Sequence, residues 1–169
     1  MSMFLSAVLI GTTFAHWQEE LGVLLRALIA ISLGGLVGWE RATAGKWAGF
    51  RTHMFVCLAA MLFVKLGQFL INDLALQVPP TSLRADPVHI IAAIATGISF
   101  LGAGTILRGP HTETARGLTT AASLLISASV GVAVALDRYV IAVGITLLSL
   151  FVLHTLHKVE DRLLKPRSS

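Results

Sequence analysis

Charge is scarce in this sequence. Only 13% of its 169 residues are charged, whereas 55% are hydrophobic, and the mean hydropathy is +0.80. So little polar surface cannot clothe a soluble globule of this size, and a bilayer has to act as the solvent. Cysteine is nearly absent: Cys57 stands alone in an apolar run, which excludes a disulfide framework and a CxxC metal pair. Segments of alternating polarity are missing, which excludes a transmembrane β-barrel. Also missing are a Gly-x-Ser-x-Gly elbow, a His-Glu-x-x-His pair and a phosphate-cradling loop before a lysine. The apolar runs offer no acidic base to a serine or histidine, so the expectation is no enzyme, no catalytic residue, no cofactor and no metal site. The net charge of +4 is scattered between apolar runs and forms no basic helix or aromatic-interleaved patch, so nucleic acid is not an expected partner.

What is present is a series of apolar windows of roughly the length needed to cross about 30 Å of hydrocarbon. Five run from Leu21 to Trp39, His53 to Ile71, Val88 to Leu107, Leu118 to Leu136 and Tyr139 to His154. In lipid, backbone groups must be hydrogen-bonded within the segment, so runs rich in Leu, Ala, Ile and Gly are expected as helices. The fold class is therefore all-α, a polytopic transmembrane bundle of about five spans. The segment from Met3 to Ala15 is apolar but short and has no Lys or Arg before it, and it is expected as an uncleaved N-terminal extension or interfacial helix, with a sixth span or a cleaved signal the alternatives. The longest loop lies around Pro79 and Pro80, from Gln77 to Pro87. The chain then divides into an apolar extension over 1–20, a transmembrane domain over 21–156 and a charged tail over 157–169.

Basic residues set the orientation, because cytoplasmic loops retain them. One side of the bundle carries Arg41, Lys46, Arg51, Arg108, Arg116, Lys158, Arg162, Lys165 and Arg167, and the other only Arg84 and Arg138. The N-terminus is thus expected outside and the C-terminus in the cytoplasm, with Glu19, Glu20, Asp73, Asp86 and Asp137 on the outer side.

Small residues recur at helical spacing. Gly34, Gly35 and Gly38 on the first span, and Ser127 with Gly131 on the fourth, form faces suited to close helix packing, and self-association is an expected consequence. The third span clusters Gly97, Gly102 and Gly104, which permits either packing or a bend in mid-bundle, since each glycine weakens a helix by about 1 kcal/mol. Arg26 and Lys65 are the two basic side chains within spans. At about 1.5 Å per residue they lie at nearly the same depth, about 18 to 20 Å from the cytoplasmic ends of their helices. Snorkelling to the outer headgroups is one outcome for them, and a shared anionic partner is the other.

The loops between spans carry the most specific signal. The first cytoplasmic stretch contains Gly38-Trp39-Glu40-Arg41 and Ala48-Gly49-Phe50-Arg51-Thr52-His53. The third span ends in Gly97-Ile98-Ser99-Phe100-Leu101-Gly102-Ala103-Gly104, and Arg108 is followed by Arg116-Gly117-Leu118-Thr119-Thr120-Ala121-Ala122. In this order, over about Leu25 to Gly131, the elements resemble the MgtC/SapB family of bacterial inner-membrane proteins. The resemblance implies a role in magnesium-limited growth, in acid adaptation or in life within host cells, and in some members regulation of the ATP synthase or of sensor proteins. Longer members carry a soluble C-terminal domain, so a short form without it is expected here. Ser99 also replaces a glycine found in many relatives.

The residue chemistry weighs against a magnesium channel. Mg²⁺ is usually held by one or two carboxylates and several waters, yet the spans contain no Asp or Glu away from their ends. Glu40 is the acid at the inner end of the first span, outnumbered by Arg41, Lys46, Arg51, Arg108 and Arg116. That cationic rim, with the first amides of the fourth helix at Leu118, Thr119 and Thr120, suits an anion, an anionic lipid or an acidic protein surface. The expected functional cluster is Glu40, Arg41, Gly49, Arg51, Thr52, His53, Arg108, Arg116, Gly117, Thr119 and Thr120. Within it Glu40 is expected to pair with Arg51 or Arg116. His53 is expected as a hydrogen-bonded interfacial histidine, with pH sensing the alternative. The hydroxyls of Thr119, Thr120 and Ser123 can cap their helix, bond a neighbouring one or meet a ligand. A membrane regulator that binds a partner protein or an anion at its cytoplasmic face, in contact with membrane lipid, is therefore the expected function, and a transporter of magnesium or another solute is the alternative.

Overall fold

A computed structural model describes residues 2–77, 86–108 and 115–164. The chain forms five helices: α1 (Ser2–Thr43), α2 (Phe50–Gln77), α3 (Pro87–Gly104), α4 (Leu118–Ala135) and α5 (Tyr139–Leu164). Two two-residue strands, β1 (Leu107–Arg108) and β2 (Ala115–Arg116), pair antiparallel between α3 and α4. Among the described residues, four segments are long and apolar enough to cross a membrane: Trp17–Thr43, Phe50–Leu74, Pro87–Gly104 and Leu118–Ala135. A fifth apolar stretch, Tyr139–Thr155, is slightly shorter. Large apolar side chains such as Leu24, Phe55, Phe63, Phe100, Val140 and Phe151 are exposed around the bundle, a coat that only lipid can cover. Trp17 and Trp39 stand about 33 Å apart along α1 at 1.5 Å per residue, close to the hydrocarbon thickness of about 30 Å, where indole rings anchor at interfaces.

Local chemistry sets the helix ends. The Asp86 carboxylate caps α3 by accepting from the Val88 amide at 2.9 Å, with Pro87 at the first helical position. Gly45, at φ +66°, ends the first helix, with the Lys46 amide donating to the Arg41 carbonyl. The α4–α5 turn has the same form without glycine. Asp137 adopts φ +60°, its amide donates to the Val134 carbonyl, and the Arg138 amide donates to the Ala133 carbonyl.

The core lies where α2 is flanked by α1 and α4. Ala30 and Leu33 of α1, Cys57, Met61 and Val64 of α2, and Val130 and Val134 of α4 are buried together. Glycines make this closeness attainable. A methyl group at Gly34 would stand 2.7 Å from the His53 carbonyl oxygen, and one at Gly38 2.7 Å from Phe50 Cα. On the other flank, one at Gly131 would strike the Cys57 carbonyl oxygen. α3 is more loosely held, with Gly102 its single buried residue. Its glycine cluster permits either packing or a bend, and no break forms: α3 runs unbroken through Gly97 and Gly102 and ends at Gly104. In lipid an open backbone hydrogen bond costs several kcal/mol, which exceeds the propensity deficit of about 1 kcal/mol per glycine.

These distances predict opposite responses to one methyl group. Gly131→Ala overpacks the α2–α4 seam and is expected to destabilise the bundle by about 1–3 kcal/mol. Gly104→Ala, whose methyl group meets no atom within 4 Å, is expected to be neutral or slightly stabilising. Thermal melting of both variants in mild detergent, followed by circular dichroism, checks the contrast.

Candidate functional site

Two polar centres lie at opposite ends of the bundle. At the end that carries the α1–α2 connection, Arg41 is 2% exposed although it closes a helix. Its guanidinium donates from Nε to Glu40 Oε2 at 2.5 Å and from Nη2 to Glu40 Oε1 at 2.7 Å. This planar, two-point pairing neutralises the charge that burial would otherwise make costly. Glu40 therefore pairs with its chain neighbour. Arg51, expected on Glu40, is exposed and makes no ion pair among the described residues.

One turn inward, His53 is completely buried between α2 and α4. Its Nδ1 lies 2.9 Å from the Gly49 carbonyl oxygen and its Nε2 3.0 Å from Ser123 Oγ, while Ser123 Oγ lies 2.8 Å from the Thr120 carbonyl oxygen. A carbonyl only accepts, so Nδ1 carries a proton. In the neutral ring Nε2 then accepts from the Ser123 hydroxyl. In the charged ring Nε2 donates to Ser123 Oγ, and the hydroxyl turns to the Thr120 carbonyl. The hydroxyl is thus a rotor whose direction reports the protonation of His53. The hydrogen bonds expected of His53 are formed, by a ring that is fully buried.

The expected cluster is only partly gathered. Glu40, Arg41, Gly49, His53 and Thr120 lie around the inner seam, whereas Arg51, Thr52 and Thr119 face outward. Gly117, at φ +94°, packs beneath the Thr105 carbonyl, where a methyl group would collide, and so joins the end of α3 to the start of α4. The backbones of Arg108 and Arg116 belong to the β1–β2 ladder, which pairs Leu107 with Arg116 and Arg108 with Ala115. Their side chains lie outside the described set.

At the opposite end, Arg26 and Lys65 share an anionic partner. Arg26 Nε donates to Asp137 Oδ1 at 2.6 Å, Lys65 Nζ lies 3.8 Å from Asp137 Oδ2, and the Tyr139 hydroxyl donates to Oδ1 at 2.7 Å. Lys65 also donates to Gln68 Oε1 at 3.1 Å. The Arg26 hydrogen bond, seconded by Tyr139, draws the Asp137 carboxyl down to about 2. Asp137 thus ties α1 and α2 to the α4–α5 turn and holds its left-handed backbone. The equal depth of Arg26 and Lys65 was visible in the sequence, but the identity of their partner was not. Asp137 reads as an ordinary turn residue until the bundle brings the turn to that depth.

Asp137→Asn leaves two cations with no counter-charge and is expected to lower stability by about 1 kcal/mol, a small value because the Asp137 side chain is 47% exposed. Because the carboxyl is depressed to about 2, its contribution is complete above the ordinary carboxylate value and disappears only as pH falls through about 2. Melting curves should therefore show a native-to-variant difference that is constant from pH 5 to 8 and vanishes under strong acid.

Comparison with known proteins places this geometry in a family. The MgtC family profile matches residues 27–162. The chain is similar to the protein named "Putative magnesium transporter YhiD" of Escherichia coli strain K12, with 32% identity over 141 residues, covering 83% of this chain and 63% of that protein. It is similar to "Protein MgtC" of Salmonella typhimurium strain LT2, with 35% identity over 127 residues, covering 75% of this chain and 49% of that protein. It is also similar to "Protein MgtC" of Brucella abortus, with 39% identity over 103 residues, 61% of this chain and 38% of that protein. The chain thus spans less than two thirds of the length of these relatives. No solved structure matches it. With its apolar helices and the match over most of its length, this chain is a multi-pass membrane protein and belongs to the MgtC family.

Proposed function

We propose that this chain is a regulator in magnesium homeostasis or in low-magnesium and acid-stress adaptation, seated in the bacterial inner membrane with its basic end in the cytoplasm. The observation that carries this reading is the charge balance of its two polar centres. Glu40 is fully engaged by Arg41, and the opposite cluster sets Arg26 and Lys65 against the single carboxylate of Asp137. Neither centre offers Mg²⁺ an unengaged carboxylate, and the second carries net positive charge that repels a divalent cation. The exposed Lys46, Trp47 and Arg51 instead suit an anionic or acidic partner surface at the basic end. By family resemblance, the ATP synthase or a sensor protein is the kind of partner such a surface would meet, and a second copy of the chain would suit the glycine-faced helices.

A magnesium transporter is the second reading, favoured by the name of the Escherichia coli relative. Sealed liposomes that contain only this chain and an internal magnesium-sensitive dye separate the two. The expected uptake equals the protein-free rate. Saturable Mg²⁺ uptake that another divalent ion competes with would replace the regulator by a transporter.

A further inference from the structure

A groove of about 820 Å³ runs between α2 and α3. Its walls are apolar along almost the whole length, from Phe55, Ala59 and Phe63 on α2 to Ile94, Gly97 and Leu101 on α3. The exceptions, Arg51 and Thr52, stand together at one mouth, the basic end of the bundle. At about 1.5 Å per residue, the lining from Arg51 to Phe63 is about 18 Å long. Half of a hydrocarbon core of about 30 Å is about 15 Å, so the groove is one leaflet deep. Just beyond Phe63, Ile90 of α3 packs against Gly67 of α2 and interrupts the groove, separating it from a smaller cavity of about 350 Å³ lined by Val64, Gln68 and Ile91.

We infer that this groove binds one anionic phospholipid of the leaflet at the basic end, with acyl chain along the α2–α3 wall and headgroup phosphate on the Arg51 guanidinium. Charge complementarity selects this occupant. Arg51 is exposed, and the acid nearest to it in the motif, Glu40, is already held at two points by Arg41. A guanidinium at headgroup level above an apolar slot matches a phosphate carried on a hydrocarbon chain. The groove's depth also separates lipid from a partner helix. A helix crossing the membrane needs a surface about 30 Å long, and the Gly67–Ile90 contact ends this one after a single leaflet. The site is independent of whether the chain regulates or transports, since it rests on the groove and Arg51 alone.

Native mass spectrometry of the full chain in mild detergent, titrated with phosphatidylglycerol or with phosphatidylcholine of matched acyl chains, tests the assignment. One phosphatidylglycerol should be retained per chain, with at least a fivefold preference over phosphatidylcholine. Arg51→Gln should erase that preference. Gly97→Leu should lower retention of both lipids at least fivefold, because a side chain added at Gly97 meets no protein atom within 4 Å and can enter the groove. Circular dichroism checks that both variants remain helical, and Arg51→Gln, at an exposed position, decides the matter even where Gly97→Leu fails to insert. Equal retention of the two lipids by the native chain, or an unchanged preference in Arg51→Gln, would overturn the proposal. So would a photoreactive group at Ala93 that captures a second polypeptide instead of lipid in native membranes.

Discussion

The bundle depends on the backbone of α2 lying against glycines on both sides. Gly34 receives the His53 carbonyl from the α1 flank, and Gly131 receives the Cys57 carbonyl from the α4 flank. Within lipid there is little hydrophobic gain in bringing helices together, so close packing and interhelical hydrogen bonds must hold them. The two glycine contacts supply the packing, and they fix the rotation of α2 so that His53 points at Ser123 of α4 and Lys65 points at the α4–α5 turn. A larger residue at either glycine would turn or displace α2 and disturb both polar centres together.

Those centres show two ways of keeping charge at a membrane boundary. Arg41 is buried and answered at once by its neighbour, so its charge is cancelled locally. Asp137 is half exposed and serves two cations from different helices, so its charge is spent on joining elements distant in sequence. The His53–Ser123–Thr120 relay adds no net charge in its neutral form, yet a single proton reverses the direction of the Ser123 hydroxyl. His53 and Lys65 both belong to α2, which takes part in both polar centres and is thus the element through which the two ends can be coupled.

Much of this architecture was legible in the sequence because lipid imposes simple rules. Long apolar runs became helices, and the equal depth of Arg26 and Lys65 left a shared anionic partner open beside snorkelling. The membership of the chain was legible in the loop motifs. Other features were not legible, for physical reasons. The glycine cluster of α3 left packing and a bend both open, but lipid penalises open backbone hydrogen bonds more than glycine weakens a helix, so α3 stays continuous. Glu40 was expected to reach across to Arg51, yet Arg41 stands beside it and turns inward with it. Which of two neighbouring arginines enters the seam depends on the rotation of α1 against α2, which no spacing rule gives. Ser123 was one of three hydroxyls with equivalent prospects until the depth of His53 singled it out.

The central claim is that the basic end, held in shape by the Arg41–Glu40 fork, is the functional centre of the protein. Growth of a deletion strain in low magnesium, with each variant at equal membrane abundance, tests it most directly. Lysine cannot reproduce the two-point contact of a guanidinium with a carboxylate, so Arg41→Lys should insert normally and fail to restore growth, while Arg162→Ala, near the end of α5, should restore it fully. Full growth with Arg41→Lys together with failure of Arg162→Ala would place the function in the C-terminal segment and contradict the claim.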